Sequence, residues 1–342
     1  MATAQDQPPL MASALKVTWE KESSFNETPG TGSDWNQWGA RKGEVRSLGP
    51  ENTWDQQRHW NGNGRESDHM ELVQQDYGGR LGEFKVKDPK ILGFWWGQEP
   101  NAPSQIGSTG YYRHTAVPTT NDQTDSLSCQ FVAEDRAGNT MLTTYNGLVM
   151  DQLEFVFNEE IEASYAPTFI GKSTDSGASQ ASVTTSTSPT FRHYHGFVEV
   201  FGQKLIRIQN LRLRSLNNAE RRRYWNQNDP LNANEFPVQQ TEYEVTARCI
   251  GDAQTFSSFL SKDLHQLAKD GDIGQATMKA VETQDENEFQ VNFGSADDAW
   301  AISTMEILGK AEGGGLVFDL EFAGRDSEFQ WVDQNSNRYF SS

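Results

Sequence analysis

The feature that most constrains this chain is that part of it returns at one fixed spacing. Asn52 to Asn63 (NTWDQQRHWNGN) recurs as Asn217 to Asn228 (NNAERRRYWNQN), with Asn52/Asn217, Arg58/Arg223, Trp60/Trp225, Asn61/Asn226 and Asn63/Asn228 identical 165 positions apart. Val73-Gln74-Gln75 returns as Val238-Gln239-Gln240 at the same 165, so the register holds without a gap. Gly147 to Phe155 (GLVMDQLEF) resembles Gly315 to Phe322 (GLVFDLEF) at 167 or 168. Three matches in one order predict two copies of one module. The joint between them is Ser173 to Pro189 (STDSGASQASVTTSTSP), where Val183 is the one large apolar residue. Such a stretch buries too little surface to repay its ordering entropy and reads as an exposed linker or loop. The expected division is therefore residues 1–172 with an N-terminal arm, a linker at 173–189, and a second copy at 190–342.

Inside each copy the pattern is that of strands. Leu316, Phe318, Leu320 and Phe322 alternate with Val317, Asp319 and Glu321, and Leu153, Phe155 and Phe157 alternate with Glu154, Val156 and Asn158. A period of two sends one row to a core and the other to water. Strands are also expected at Phe197–Val200, Leu205–Leu213, Tyr243–Cys249, Phe289–Phe293 and Ala299–Ile307. One helix is expected per copy. Asp88-Pro89 opens the first, which carries Ile91, Leu92, Trp95 and Trp96 to a stop at Gly97; the second opens at Asp252 and carries Phe256, Phe259, Leu260, Leu264 and Leu267 to Gly271.

Composition narrows the function classes. With 48 acidic and 29 basic residues the formal charge is −19, which disfavours tight, phosphate-neutralising DNA binding; a surface past which DNA slides, a merely soluble acidic protein and adaptation to a salty medium all carry this sign. A hydrophobic fraction of 35% beside 19 Phe, 10 Trp and 9 Tyr fits strands with one wet face. Cys129 and Cys249 are the only cysteines, which excludes a disulfide framework and a CxxC zinc knuckle. The first fifteen residues have no basic region followed by an apolar run, so no secretory signal is expected, and no apolar stretch reaches the roughly 20 residues of a membrane span. GxSxG, Walker A and GxGxxG motifs are absent. His193 and His195, at alternate positions of an expected strand, are weak metal candidates, with His114 a distant third ligand. Trp35, Trp38, Trp95 and Trp96 suit core or interface anchoring better than stacking on sugars.

Glu22-Ser23-Ser24-Phe25 with Thr28-Pro29-Gly30-Thr31, the passage Gly78 to Gly97, Tyr145-Asn146-Gly147 before a long alternating strand, and Thr168-Phe169-Ile170-Gly171-Lys172 together resemble the major tail tube proteins of long-tailed bacteriophages and tailed archaeal viruses. The similarity spans most of the chain, through diffuse motifs. It implies a β-sandwich with a flanking helix in each copy, whose strands join those of neighbours in a closed barrel around a DNA channel. Stacked rings would form the tube of a sheathless virion tail, assembled in the host cytoplasm. Single-copy relatives make rings of six, so a double-domain chain implies homotrimeric, pseudo-hexameric rings. Tape measure, terminator and distal tail proteins are the other implied partners. Viral DNA would pass without specific binding, and no cofactor, membrane or enzymatic activity is implied. On this resemblance Gln152, Glu154, Asp319 and Glu321 are lumen candidates, and Arg58, Trp60, Arg221, Arg222, Arg223 and Trp225 interface candidates. A distal-tail or terminator ring protein and a carbohydrate-binding sandwich remain as alternatives.

Overall fold

The computed structural model describes residues 15–340 apart from 31–34, 39–40, 46–47, 58–68, 120–124, 136, 138, 159–161, 185–187, 201, 206–207, 225–230, 240, 251–263, 272, 294–299, 309–316 and 326. The chain is mainly β. Its first half runs β1 (Lys16–Lys21), β2 (Trp35–Gln37), β3 (Arg41–Val45), β4 (Pro50–Gln57), β5 (His69–Arg80), β6 (Gly82–Lys85), α1 (Lys90–Gly93), β7 (Gly97–Gln98), β8 (Ser104–Gln105), β9 (Tyr112–Pro118), β10 (Leu127–Glu134), β11 (Thr140–Asn158) and β12 (Ser164–Gly171). Next come β13 (Ser173–Asp175) and β14 (Val183–Thr184). The second half runs β15 (Gly196–Val200), β16 (Gln203–Leu205), β17 (Ile208–Leu216), β18 (Glu242–Ile250), α2 (Leu264–Asp270), β19 (Ile273–Gly274), β20 (Ala276–Thr283), β21 (Asn287–Phe293), β22 (Trp300–Leu308), β23 (Val317–Gly324) and β24 (Ser327–Asp333).

Eight strands form one unbroken antiparallel run in the order β4-β5-β12-β11-β17-β18-β23-β22. Its first four strands and its last four are connected alike: two strands precede the helix, and a hairpin follows it. The pairing agrees in detail. Tyr77 lies opposite Gly171, and Tyr243 opposite Gly324; β11 bulges at Asp151 and β22 at Ser303. By pairing, therefore, β12 holds the place that β23 holds in the second quartet. The expected match of Gly147–Phe155 to Gly315–Phe322 sets β11 against β23, which hold different places. Strands that alternate bulky apolar and acidic residues look alike in sequence wherever they face one core.

The core lies between this run and two outer sheets. Phe155, Phe157, Leu211, Leu213, Val245, Phe318, Leu320 and Phe322 face it from the run, and Phe289, Val291, Phe329 and Trp331 face it from the second outer sheet. Of the expected core row Leu153, Phe155, Phe157, Phe318, Leu320 and Phe322 are buried and Leu316 lies outside the described residues, while Val317, assigned to the wet row, is also buried. In the first outer sheet β1 pairs with β10 and β10 with the first part of β11, while the second part of β11 belongs to the run. At that transition Glu22 is buried. Its carboxylate accepts hydrogen bonds from Ser126 and Ser128 hydroxyls (2.5 and 2.7 Å) and from the Asn26 and Gly147 backbone N–H groups (both 2.7 Å). Gly147 has φ of 63°, a conformation costly for other residues.

The Ser/Thr-rich segment differs from the expected loose linker. β13 pairs with Thr144–Asn146 of β11, β14 runs parallel to β2, and the Ala181 N–H donates to Gln130 Oε1 at 2.8 Å. Backbone pairing needs no apolar side chain, so composition alone underestimates such a strap. The first helix is shorter than expected. Asp88 Oδ1 accepts the Lys90 N–H at 3.0 Å as its cap, and the coil continues through Trp96 in three-residue turns before Gly97 at φ 81°. α2 ends at Gly271, φ 68°, as expected; Asp252, Phe256, Phe259 and Leu260 lie outside the described residues.

The halves interlock. β9 of the first half pairs with β24 of the second, Trp96 stacks on Phe329 at 4.9 Å, and Trp96 Nε1 donates to Ser327 Oγ at 2.8 Å. All four of Trp35, Trp38, Trp95 and Trp96 are buried, which makes them core residues. Beside this joint, buried His114 stacks on Trp331 (4.7 Å) and reaches Glu99 through Nδ1 (2.7 Å) and Asp333 through Nε2 (3.1 Å). Glu99 also accepts the Phe340 backbone N–H at 2.9 Å, which ties the C-terminal segment down. Burial would lower the His114 pKa, but hydrogen bonds and charge from Asp333 and Glu99 outweigh it and raise the value to about 9. A raised folded-state pKa stabilises fully below the unfolded value of 6.5, and the contribution is lost as pH climbs through about 9. His114→Gln should cost on the order of 2–4 kcal/mol near pH 6. Thermal denaturation from pH 6 to 10 should show the variant and the parent converging at the alkaline end.

Candidate assembly surface

The face of the eight-strand run turned away from the core carries the four sequence-derived lumen candidates. Gln152, Glu154 and Asp319 are half-buried there and Glu321 is exposed. They are not a bare acidic row. Glu154 sits between Arg212 (3.0 Å) and Arg80 (3.5 Å), Arg248 holds Asp319 through two hydrogen bonds of 2.7 Å, and Arg214 faces Glu244 at 3.6 Å. The Arg248 hydrogen bonds hold the Asp319 carboxyl below its ordinary pKa. Cross-strand partners share a face, so arginines one strand away meet acids that the sequence separates by tens of residues. The result is a charge lattice in which Glu321 and Glu306 are exposed acids.

The arginine run expected at an interface does form one, within the chain. Arg223 and Arg221 (3.7 Å) both reach Asp76 at the base of β5, and Arg221 donates to the Tyr77 carbonyl at 3.2 Å. Arg222 faces Glu220 at 3.6 Å. These residues belong to the connection between β17 and β18, which folds back over the junction of the halves. There Phe236 and Ala233 join Val149 and Ile170 in a small apolar cluster, with Ala219, Val238 and Phe25 against it. Asn217 spans the β11–β17 seam: its Nδ2 donates to the Met150 carbonyl at 2.9 Å and its N–H to the Asp151 carbonyl at 2.8 Å. Sequence reasoning found Asn217 as a repeat position and missed this task, because the acceptor lies on a strand of the other half. Arg58, Trp60 and Trp225 lie outside the described residues.

The corresponding connection in the first half is the β4–β5 hairpin, which meets the β17–β18 connection only at its base among the described residues. Trp54, Met70 and Val73 are 49%, 53% and 44% exposed on it. Among the described residues, the outer edges of β4 and of β22 beyond Ala301 have no strand beside them. The remaining candidates do not converge. His193 and His195 lie in a 3-10 turn, not at alternate positions of a strand, and the described residues hold no group of three or more His, Cys, Asp or Glu suited to a metal. His195 Nδ1 instead accepts the Arg192 N–H at 3.2 Å.

The two kinds of ion pair predict different costs. Asp76 is buried between Arg221 and Arg223, so removing both cations in Arg221→Ala/Arg223→Ala strands a carboxylate and should cost about 3–5 kcal/mol. The Arg248–Asp319 pair is exposed, and Asp319→Asn should cost less than about 1 kcal/mol. Urea titration of the two variants distinguishes them. In comparisons with known proteins, no family model and no curated protein matches this chain.

Proposed function

We propose that the chain is a tail tube subunit built from two copies of one module, polymerising as stacked rings into the hollow virion tail through which viral DNA passes. The observation that carries this reading is the eight-strand antiparallel run of two like-connected quartets, whose outer edges, among the described residues, are open along β4 and along β22 beyond Ala301. Open edges of this length invite pairing, and a sheet escapes that liability by closing. One chain of eight strands would close into a barrel filled by its own side chains. Three chains supply 24 strands. At a spacing of about 4.8 Å and a tilt of about 40° such a barrel is about 48 Å across its backbone, wide enough for a duplex. Because the strand number per chain is even, one direction alternates around the whole ring.

The charge lattice suits such a channel. Paired charges offer DNA no cluster of cations to grip, and the exposed Glu306 and Glu321 repel phosphate. Tape measure, terminator and distal tail proteins are the partners at the tube's ends on this reading.

Electron microscopy of the purified full-length chain tests it directly: hollow tubes or stacked rings of three chains are expected, and a protein that stays monomeric at high concentration refutes it. Rings of six chains would refute the trimer count. Glu321→Lys tubes should retain duplex DNA at low salt and release it as salt rises, whereas wild-type tubes should not. Equal passage through both would place Glu321 outside the lumen.

A further inference from the structure

The seam between the halves lies inside the chain, and its described contacts give its register and packing. Resting on the tube reading above, we propose that this internal seam is the template for the contact between chains: the free edge of β22 takes the β4 edge and the β4–β5 hairpin of a second copy, in the register of β11 on β17.

Three independent observations carry the argument. First, the edges correspond. Aligned on their bulges, β11 and β22 differ by 303 − 151 = 152 positions. Aligned on the partners of Tyr77 and Tyr243, β4 and β17 differ by 215 − 50 = 165. Gln152 lies opposite Leu216 at the internal seam, so Thr304 of one chain falls opposite Glu51 of the next, and Glu306 opposite Gly49. The directions are correct, because an eighth strand antiparallel to the seventh meets a first strand antiparallel to it. Pro50 brings no N–H, so the sheet has one donor fewer at that position.

Second, Asn52 stands where Asn217 stands. Asn217 clamps the internal seam through the Met150 carbonyl, and the position equivalent to Met150 is Ile302 on the free edge. Asn52 uses its Oδ1 within its own hairpin, accepting from Gln75 Nε2 at 3.1 Å, and its Nδ2 has no acceptor among the described residues.

Third, the volumes fit. At the internal seam small Ala219, with Val238 beside it, packs against the cluster that holds Val149 and Ile170. At the corresponding positions Trp54 stands for Ala219, and Ala301 and Ala323 for Val149 and Ile170, while Val73 repeats the valine at 238. Trp54 and Val73 are exposed on the hairpin, and the paired Ala301 and Ala323 present small side chains on the receiving edge, with Ala323 exposed. A tryptophan placed over two alanines buries the surface that an alanine over valine and isoleucine buries inside the chain.

Cysteine pairs in the full-length chain test the register, since native Cys129 and Cys249 are both buried. Under mild oxidation of assembled protein, Glu51→Cys with Thr304→Cys should close into covalent rings of chains. Glu51→Cys with Glu306→Cys, two positions out of register, should link at least tenfold less. Gln152→Cys with Leu216→Cys, directly opposite within one chain, gives the reference yield. Trp54→Ala should leave the monomer's thermal unfolding unchanged while raising the concentration needed for assembly at least tenfold, and Ala323→Trp should do the same by overfilling the site. Tubes that form without the Glu51–Thr304 link and tolerate Trp54→Ala would overturn the seam and leave the tube reading intact. A wild-type chain that never assembles would overturn both.

Discussion

The pairing of β11 with β17 is the interaction on which the rest of the molecule depends. β11 is 19 residues long and belongs to two sheets, and its second part is where the halves become one surface. Without that ladder the chain would hold two four-stranded sheets. With it, a single run presents one apolar face, one charged face and, among the described residues, edges open along β4 and along β22 beyond Ala301. A ladder of backbone hydrogen bonds is also indifferent to side chain identity, so the junction can be reused wherever the same edges meet.

The second constraint is the way the halves are kept from separating. β9 completes the sheet of the opposite half, Trp96 lies on Phe329, and the arginines at 221 and 223 close on buried Asp76. Each of these contacts is internal to one chain, and each fixes the relative placement of the quartets. On the proposed tube reading such rigidity is useful, because a subunit that closes into a ring would have to present both edges at a set angle. The His114 cluster belongs with them, since it locks the C-terminal segment against the same joint.

The polar face bears on how an acidic protein can stand next to DNA. The net charge of −19 suggests a surface of bare carboxylates, yet Glu154 and Asp319 are matched by arginines from neighbouring strands. Matched pairs cost little desolvation when half exposed and leave the field of the face set by the few unmatched acids. Transit through a channel is served as well by a mixed lattice as by a uniformly negative wall.

The sequence by itself determined the strands, their core rows and the helix stops, because a period of two, a proline after aspartate and a glycine at positive φ act over a few residues. It also located Asn52 and Asn217, identical at a spacing of 165 residues, which the pairing sets at matching positions, in β4 and just after β17. Only the tertiary structure decided which strand neighbours which. Sheet pairing joins residues far apart by backbone bonds that leave no side chain pattern, so β11 and β23 read alike though β12 is the counterpart by pairing. For the same reason a serine-rich strap read as a free linker, two histidines in a tight turn read as a strand pair, and acids that find arginines across the sheet read as exposed.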